Sequence, residues 1–150
     1  MKKEMIISKI KEAHIPQMVK IWNQHYKFLT STRKQHTVES MLEWYKKRHI
    51  ENHEMFGLLE ENKLCAFMFL KYEEKKLWIK MLAVDEKRQK KGYGSKLVKF
   101  ASLESQNRDL LTEIKIDNLS AINFFYKNNF KIKKFRADQK EYVCLQNKES

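Results

Sequence analysis

The sequence predicts one mixed α/β domain in which helices pack against a single sheet. Its apolar segments follow the order strand, two helices, three strands, helix, strand, helix and two strands, which lacks the regular alternation of a doubly wound fold. The 150 residues suffice for one domain with a real core. Only three glycines and one proline occur, so no flexible linker divides residues 1–150 into domains.

The first third of the chain predicts a strand and two helices. Residues 5–10 form a short apolar strand, and Pro16 suits the first turn of a helix, where its missing N–H costs nothing. Residues 28–36 are polar and irregular, which predicts a loop. Thr37 is a good N-cap for the second helix. The apolar faces of the two helices consist of Met18, Val19, Ile21, Trp22 and Tyr26, and of Val38, Met41, Leu42 and Tyr45.

The rest of the chain predicts a sheet interrupted by two helices. Residues 55–59, 64–72 and 77–84 are rich in Phe, Leu, Ile and Met, as sheet strands are, with turns at 60–63 and 73–76. The later elements are a helix from Gly94 to Ser105, a strand at 111–116, a helix at 120–128 and strands at 130–135 and 142–145.

The formal net charge of +12 is high for this length. Nucleic acid, an anionic membrane surface or anionic small molecules would each explain it, and so would a lysine-rich solvated surface. Lys and Arg are spread along the whole chain, which argues against a dedicated nucleic-acid tail.

The cysteines and histidines give no metal-binding pattern. Cys65 and Cys144 both lie in apolar, strand-like segments and are interpreted as buried thiols in a reducing compartment. The five histidines show no ligand spacing and are interpreted as surface residues. The apolar segment at the N-terminus is too short for a signal peptide, and none approaches a membrane span, so we expect a cytoplasmic protein.

Residues 81–97 carry the most information about function. An apolar strand leads into a basic loop with Lys87, Arg88, Lys90 and Lys91, and two of the three glycines open the next helix. Glycine allows close backbone approach, and the N–H groups at a helix start attract anions. These features indicate a phosphate or pyrophosphate site, and the alternative is a plain loop with solvated lysines. The spacing fits neither a P-loop nor a dinucleotide fingerprint.

Two segments of the sequence resemble the GNAT-type N-acetyltransferases. The family's phosphate-binding signature is (Arg/Gln)-x-x-Gly-x-(Gly/Ala), and residues 89–94, Gln-Lys-Lys-Gly-Tyr-Gly, match it in register. Residues 118–125 and 128–130 resemble the family's later Asn-x-x-Ala-x-x-Phe-Tyr and Gly-Phe segment. The resemblance covers nearly the whole chain and implies a mixed, mostly antiparallel central sheet flanked by helices.

The resemblance also implies acetyl-CoA as co-substrate. The backbone of Leu82, Ala83 and Val84 is then expected to hold the pantetheine arm. The backbone amides expected to wrap the pyrophosphate are those of Gln89, Lys90, Lys91, Gly92, Tyr93, Gly94 and Ser95. The side chain of Asn118 is expected to contact the cofactor arm, and its alternative role is the N-cap of the following helix.

The implied chemistry is attack of an amine on a thioester. An amine with a pKa of about 10 is mostly protonated at neutral pH, so a base must remove its proton. Glu113 matches the family position where a glutamate often acts as that base, and its alternative role is a surface carboxylate. A strand N–H near residues 82–84 can stabilise the charge that develops on the carbonyl oxygen.

The sequence departs from the family pattern at two positions. Phe125 stands where the family commonly has a tyrosine that protonates the leaving thiolate, and Tyr126 is shifted by one residue. Two arrangements remain open, and we favour a local one-residue shift that returns Tyr126 to the site. Asn129 replaces the usual glycine before Phe130, and asparagine tolerates the left-handed conformation needed there.

The predicted partner is a small-molecule or peptide amine bound between residues 26–36 and 136–140. Aromatic residues are concentrated near the first of these segments, at Trp22, Tyr26, Phe28, Trp44 and Tyr45, and their helical spacing favours a role in the core. Family members are often dimers, so a homodimer is one expected assembly. The alternatives to an active enzyme are a catalytically weak acetyl-CoA sensor and, more remotely, a basic nucleic-acid-binding module. We expect no nucleic acid, membrane or metal as partner.

Overall fold

The computed structural model describes residues 4–29, 34–49, 51–135 and 142–147. Four α-helices and seven strands are present in this part of the chain. The helices are α1 (Ile15–Leu29), α2 (Val38–His49), α3 (Tyr93–Ser105) and α4 (Leu119–Lys127). The strands are β1 (Met5–Lys9), β2 (His53–Glu60), β3 (Lys63–Tyr72), β4 (Lys76–Val84), β5 (Asp109–Lys115), β6 (Phe130–Phe135) and β7 (Tyr142–Asn147).

All seven strands form one sheet in the order β1-β2-β3-β4-β5-β7-β6. Every neighbouring pair is antiparallel except β4 and β5, which are parallel. The crossover between these two strands contains α3, as a parallel connection requires. The predicted mixed, mostly antiparallel sheet flanked by helices is therefore confirmed.

The side chains of β3 divide the core into two layers. Phe67 and Phe69 pack with α1 and α2 on one face of the sheet, and Ala66, Met68 and Leu70 pack with α3 and α4 on the other. Alternation along a strand sends successive side chains to opposite faces. Because both faces are covered, the seven β3 side chains from Leu64 to Leu70 are all buried, which explains this unbroken apolar segment.

The predicted boundaries agree with the structure in most elements. Thr37 caps α2, since its Oγ1 accepts a hydrogen bond from the amide of Ser40 at 3.1 Å. Glu61 and Asn62 both have positive φ, of 51° and 67°, as a two-residue turn between antiparallel strands requires. The predicted loop at 28–36 is wrong at its start, because Phe28 and Leu29 continue α1. Residues 30–33 and 136–140 lie outside the described residues.

Candidate active site

Strands β4 and β5 pair along only the first part of their length and then separate. Their parallel pairing runs from Lys76 with Asp109 to Ile79 with Thr112 and ends there. The hydroxyl of Thr112 donates a hydrogen bond of 2.9 Å to the carbonyl oxygen of Ile79 and closes the paired end. Beyond this point β5 stays paired with β7, and β4 stays paired with β3. A cleft of about 1660 Å³ opens between them.

The second half of β4 presents backbone groups to this cleft. The amide of Asp85 points to β3, where it donates to the carbonyl oxygen of Cys65 at 2.8 Å. Residues of a strand direct their N–H and C=O groups alternately to the two edges. Ala83 therefore faces β3, and Leu82 and Val84 face the cleft. Of the three β4 residues predicted to hold the cofactor by their backbone, the geometry supports Leu82 and Val84 and does not support Ala83.

His25 of α1 reaches this open edge of β4. Its Nε2 lies 2.7 Å from the carbonyl oxygen of Val84. A carbonyl oxygen only accepts hydrogen bonds, so Nε2 carries the proton. The side-chain nitrogen of Gln89, 3.5 Å from the same Nε2, then makes no hydrogen bond with it, because both groups are donors.

The loop after β4 is held by a buried carboxylate. Asp85 accepts hydrogen bonds from the amide of Lys87 at 3.3 Å and from Gln24 of α1 at 3.3 Å, and it pairs with Arg88 at 2.9 Å. The side chain of Gln24 also accepts from the amide of Glu86 at 3.0 Å. Gln24 and Asp85 together fasten the start of the loop to α1.

The environment of Asp85 stabilises its charged form. Burial alone would raise the pKa of the Asp85 carboxyl. The hydrogen bonds from Lys87 and Gln24 and the charge of Arg88 outweigh burial, so this pKa lies below its usual range. The carboxylate is thus ionised at neutral pH and available to all three donors.

The end of the loop has the backbone shape of an anion site. Lys90 and Gly92 have left-handed φ values of 64° and 82°. Gly92 is the N-cap of α3 and supplies no side-chain cap. The amides at the start of α3 lack intrahelical partners, and the helix dipole adds positive potential there. A Cβ at Gly92 would meet no atom within 4 Å, which leaves open space beside these amides.

Gly94 brings α3 against α4. A Cβ at this position would lie 3.1 Å from two ring atoms of Phe124, so only glycine fits without movement. The close approach sets the start of α3 beside the second turn of α4. Asn118 caps the start of α4, because its Oδ1 accepts from the amide of Ala121 at 3.3 Å. This cap occupies the oxygen of Asn118, and the same side chain lines the cleft.

The side chain of Tyr93 anchors the start of α3 to the sheet. Its hydroxyl donates a hydrogen bond to the carboxylate of Glu60 at the end of β2, and both side chains are buried. This hydrogen bond, followed by burial, raises the pKa of Tyr93. Tyr93 therefore offers the cleft its backbone amide, while its ring belongs to the core.

Glu113 lies on the wall of the cleft formed by β5. Leu110 and Ile114 of the same strand pack with α3 and α4. Alternation places Glu113 on the opposite face, towards α1 and α2. Its side chain is half-buried and lines the cleft just beyond the point where β4 and β5 separate. A carboxylate at this position is accessible to a group bound in the cleft.

The helix α4 keeps a regular register, which corrects one expectation. Phe125 is 5% exposed, contacts the ring of Phe130 at a centroid distance of 4.9 Å and lines the cleft. Tyr126 is 43% exposed and is not among the cleft-lining residues. Adjacent helical residues point about 100° apart, so one cannot replace the other. The predicted shift of Tyr126 into the site is wrong. Asn129 has a φ of 70°, as predicted.

The part of the cleft lined by residues of α1, α2 and β3 is rich in aromatic side chains. We call it the aromatic end and define it by Phe28, His36, Trp44, Arg48 and Phe69. The rings of Trp44 and Phe69 lie 4.7 Å apart, and the guanidinium carbon of Arg48 lies 5.2 Å from the centre of the Trp44 ring. Trp22 beneath them is 1% exposed, and Tyr26 and Tyr45 pack against the same core. The predicted core role holds for these three and for Trp44, which packs on the same core and also lines the cleft, but not for the exposed Phe28.

The histidines differ from their predicted surface positions. His53 is buried, and His25 and His36 are partly buried. Burial disfavours the charged imidazolium, so it lowers the pKa of His53 and of His36.

The described residues contain no group of three metal-ligand side chains. In the same part of the chain, no helix is long and apolar enough to cross a membrane. Cys65 and Cys144 are buried free thiols, as predicted, and burial raises the pKa of Cys65.

The family follows from a comparison with known sequences. A model of the acetyltransferase (GNAT) family matches residues 15–130. The chain belongs to the GNAT family. The match contains α1, the loop before α3, Glu113 and all of α4, so the predicted family and the acyltransferase class are confirmed. Among curated proteins, no sequence matches the chain.

Solved GNAT structures share this fold. An acetyltransferase from Thermus thermophilus superposes with a TM-score of 0.81 at 13% identity, over 95% of each chain. The ribosomal-protein-alanine N-acetyltransferase from Brucella melitensis gives 0.77 at 15% identity, over 94% of this chain and 98% of that one. The PaiA N-acetyltransferase from Thermoplasma acidophilum, solved with coenzyme A, superposes with a TM-score of 0.73 at 14% identity. The match covers 96% of this chain and 98% of that one.

The cleft contains all but one of the predicted cofactor residues. Lys91 is exposed and does not line it. Sequence reasoning missed Gln24, His25, Arg48 and Lys80, which hold or line the cleft. No local motif marks them, because their roles arise only when α1, α2 and β4 meet.

Proposed function

We propose that this chain is an acetyl-CoA-dependent N-acetyltransferase that acts on a primary amine. The observation that carries the proposal is the juxtaposition of two features in one cleft. The open edge of β4 at Leu82 and Val84 leads directly into the left-handed loop and free amides at the start of α3. An extended pantetheine arm fits the first feature as an added strand, and a pyrophosphate fits the second. The coenzyme A bound to the Thermoplasma relative supports the same ligand class.

Glu113 is the proposed base. The amine nitrogen attacks the thioester carbonyl carbon, the carbon–sulfur bond breaks, and the amide forms with release of coenzyme A. The proton lost by the amine goes to Glu113, directly or through a water molecule. The N–H of Leu82 or Val84 supplies a hydrogen bond to the carbonyl oxygen as its charge develops.

The leaving thiolate receives no proton from Tyr126 in this arrangement. Phe125 lines the cleft, and Tyr126 is not among the residues that line it. The thiolate of a thiol with a pKa of about 8.5 is a tolerable leaving group, and solvent can protonate it afterwards. The same observation favours a second candidate function, a catalytically weak acetyl-CoA sensor.

Turnover separates the two candidates. The protein is incubated with acetyl-CoA and a panel of amines, and released thiol is measured beside acetyl-CoA binding by calorimetry. Thiol release that depends on an amine supports the enzyme. Tight acetyl-CoA binding without release by any amine supports the sensor. Absence of acetyl-CoA binding contradicts both.

A further inference from the structure

The charges that line the cleft are strongly asymmetric. Seven basic side chains, Lys34, Arg48, Lys80, Arg88, Lys90, Lys115 and Lys127, line it together with two carboxylates, Glu113 and Asp117. Both carboxylates come from β5 and the residues after it. Within the described residues, no carboxylate lines the aromatic end, and Glu51, which pairs with Arg48, is not among the lining residues. A site for a polyamine needs several carboxylates, because each ammonium group must be paired when it leaves water.

Arg48 is the basic residue among those that define the aromatic end. It lies in the last turn of α2, over the ring of Trp44. Its ion pair with Glu51 is long, 3.6 Å, and both side chains are about half exposed at 40% and 46%, so it contributes little. The Arg48 guanidinium is therefore held by stacking and not committed to a strong internal carboxylate.

One nitrogen of Arg48 is also left without a partner. Its Nε is buried and makes no hydrogen bond with any described residue. An unsatisfied buried donor is costly, and a small rotation of the guanidinium towards an incoming acceptor would relieve that cost. The planar fork of arginine binds a carboxylate through two parallel hydrogen bonds. Arg48 thus has the chemistry and the freedom to bind an anion in the cleft.

The surroundings of Arg48 suit an apolar body attached to that anion. The half-buried ring of Trp44, backed by the buried ring of Phe69, forms an aromatic wall beside it, and the 59% exposed ring of Phe28 lines the same end. Aromatic side chains stack on such a wall at little entropic cost. Glu113, the proposed base, lines the same cleft.

We propose that the acceptor is an amino acid or short peptide whose carboxylate binds Arg48 while its amine lies near Glu113. This inference rests on the proposed function and narrows its acceptor. Lys80, which also lines the cleft, adds positive potential to it. Acceptors without a carboxylate lose this interaction, and polycations such as spermine are repelled.

Matched pairs of acceptors test the proposal. The kcat/KM values of L-phenylalanine and L-phenylalaninamide are compared at saturating acetyl-CoA, as are those of glycyl-L-phenylalanine and its amide. Within each pair only the carboxylate differs. The amino group of phenylalaninamide is the less basic, so more of it is free base at neutral pH, which favours the amide chemically. We expect at least a tenfold preference for each carboxylate over its amide, since a charge-assisted hydrogen bond supplies about this factor.

Variants assign the preference to Arg48. Arg48→Gln is expected to raise KM for the carboxylate acceptors about tenfold or more and to leave the amides unchanged. Arg48→Lys keeps the charge but loses the fork, so an intermediate effect is expected. Lys47→Gln removes the same charge from an exposed position on α2 outside the cleft and is the control. A wild-type preference for amides or spermine, or an unchanged ratio in Arg48→Gln, overturns the proposal.

A binding measurement separates failure of this inference from failure of the proposed function. Calorimetry with the coenzyme A complex compares the same pairs without turnover. If no amine is acetylated but carboxylates bind better and Arg48→Gln removes the difference, the proposed function fails and the recognition by Arg48 holds. If amides are acetylated or bound as well as carboxylates, or if no carboxylate binds or reacts, this inference fails.

Discussion

The imidazole of His25 and the carbonyl of Val84, 2.7 Å apart, join α1 to the open edge of β4. This is a direct link between the first helix and the strand proposed to hold pantetheine. Together with Gln24, which holds the loop after β4, it makes α1 the support of the cofactor half of the cleft.

Loss of this link should weaken both the fold and the cofactor site. His25→Leu removes the hydrogen-bond donor to the part-buried Val84 carbonyl, and loss of such a bond costs about 0.5–1.5 kcal/mol. We expect a Tm lower by about 2–4 °C for each kcal/mol lost and a raised KM for acetyl-CoA, with kcat less affected. His25→Gln, which retains an N–H donor, is the control. A Tm and KM equal to the wild-type values in His25→Leu would show that the contact is unimportant.

Negative charge at Gly92 should abolish acetyl-CoA binding. Gly92→Asp places a carboxylate beside the amides proposed to bind pyrophosphate, and the stabilisation of the protein by acetyl-CoA should disappear. Gly92→Ala tests the strain of a side chain at φ 82° without charge. Asn62→Asp adds the same charge at another residue with positive φ, in an exposed turn, and should keep the full shift in Tm. A folded Gly92→Asp protein that binds acetyl-CoA normally would refute the assignment.

Removal of the proposed base should slow the chemical step alone. Glu113→Gln keeps the shape of the side chain and is expected to lower kcat by roughly 10²–10⁴ if Glu113 is the principal base. The affinity for acetyl-CoA should hardly change. Glu74→Gln, in the exposed turn between β3 and β4, is the control. A variant with the kcat and pH profile of the wild type would remove Glu113 from the mechanism.

The tyrosine of α4 should be dispensable. Tyr126 does not line the cleft, so Tyr126→Phe is expected to change kcat by less than about twofold, far below the effect of losing a general acid. Phe125→Tyr should raise kcat if its new hydroxyl reaches the sulfur, and its Tm reports any cost of a hydroxyl in the core. A tenfold loss of kcat in Tyr126→Phe would contradict the observed register.

Asp85 should make stability depend on acidity. Its pKa is lowered in the folded state, so its contribution is present above the unfolded pKa of about 3.9 and is lost as the pH falls through the lower folded value. The free energy of unfolding of the wild type should exceed that of Asp85→Asn at pH 6, and the difference should shrink below about pH 4. A difference that is constant from pH 6 to pH 3 would show that the carboxylate charge is not responsible.

The local patterns in the sequence predicted the fold and the phosphate loop because each depends on neighbours in the chain. The apolar period identified the strands, and Gly92 and Gly94 marked the loop. The roles of Gln24 and Arg48 were not predicted, since they depend on elements that meet only in the tertiary structure. The predicted position of Tyr126 is wrong because adjacent residues of a regular helix point about 100° apart. The packing of Phe125 on Phe130 fixes the register of α4.

The open edge of β4 also bears on aggregation. Unpaired strand edges usually template the pairing of further chains, and proteins keep them covered. Here the cleft-facing backbone groups of Leu82 and Val84, of which the Val84 carbonyl is bound by His25, lie inside the sheet, between β3 and β5, and not at either of its outer strands. A slender, flexible chain can enter the cleft, whereas the strand of another folded protein would collide with β5 and α4. The protein can thus keep an open strand edge for ligand binding without exposing that edge to strand pairing with other proteins.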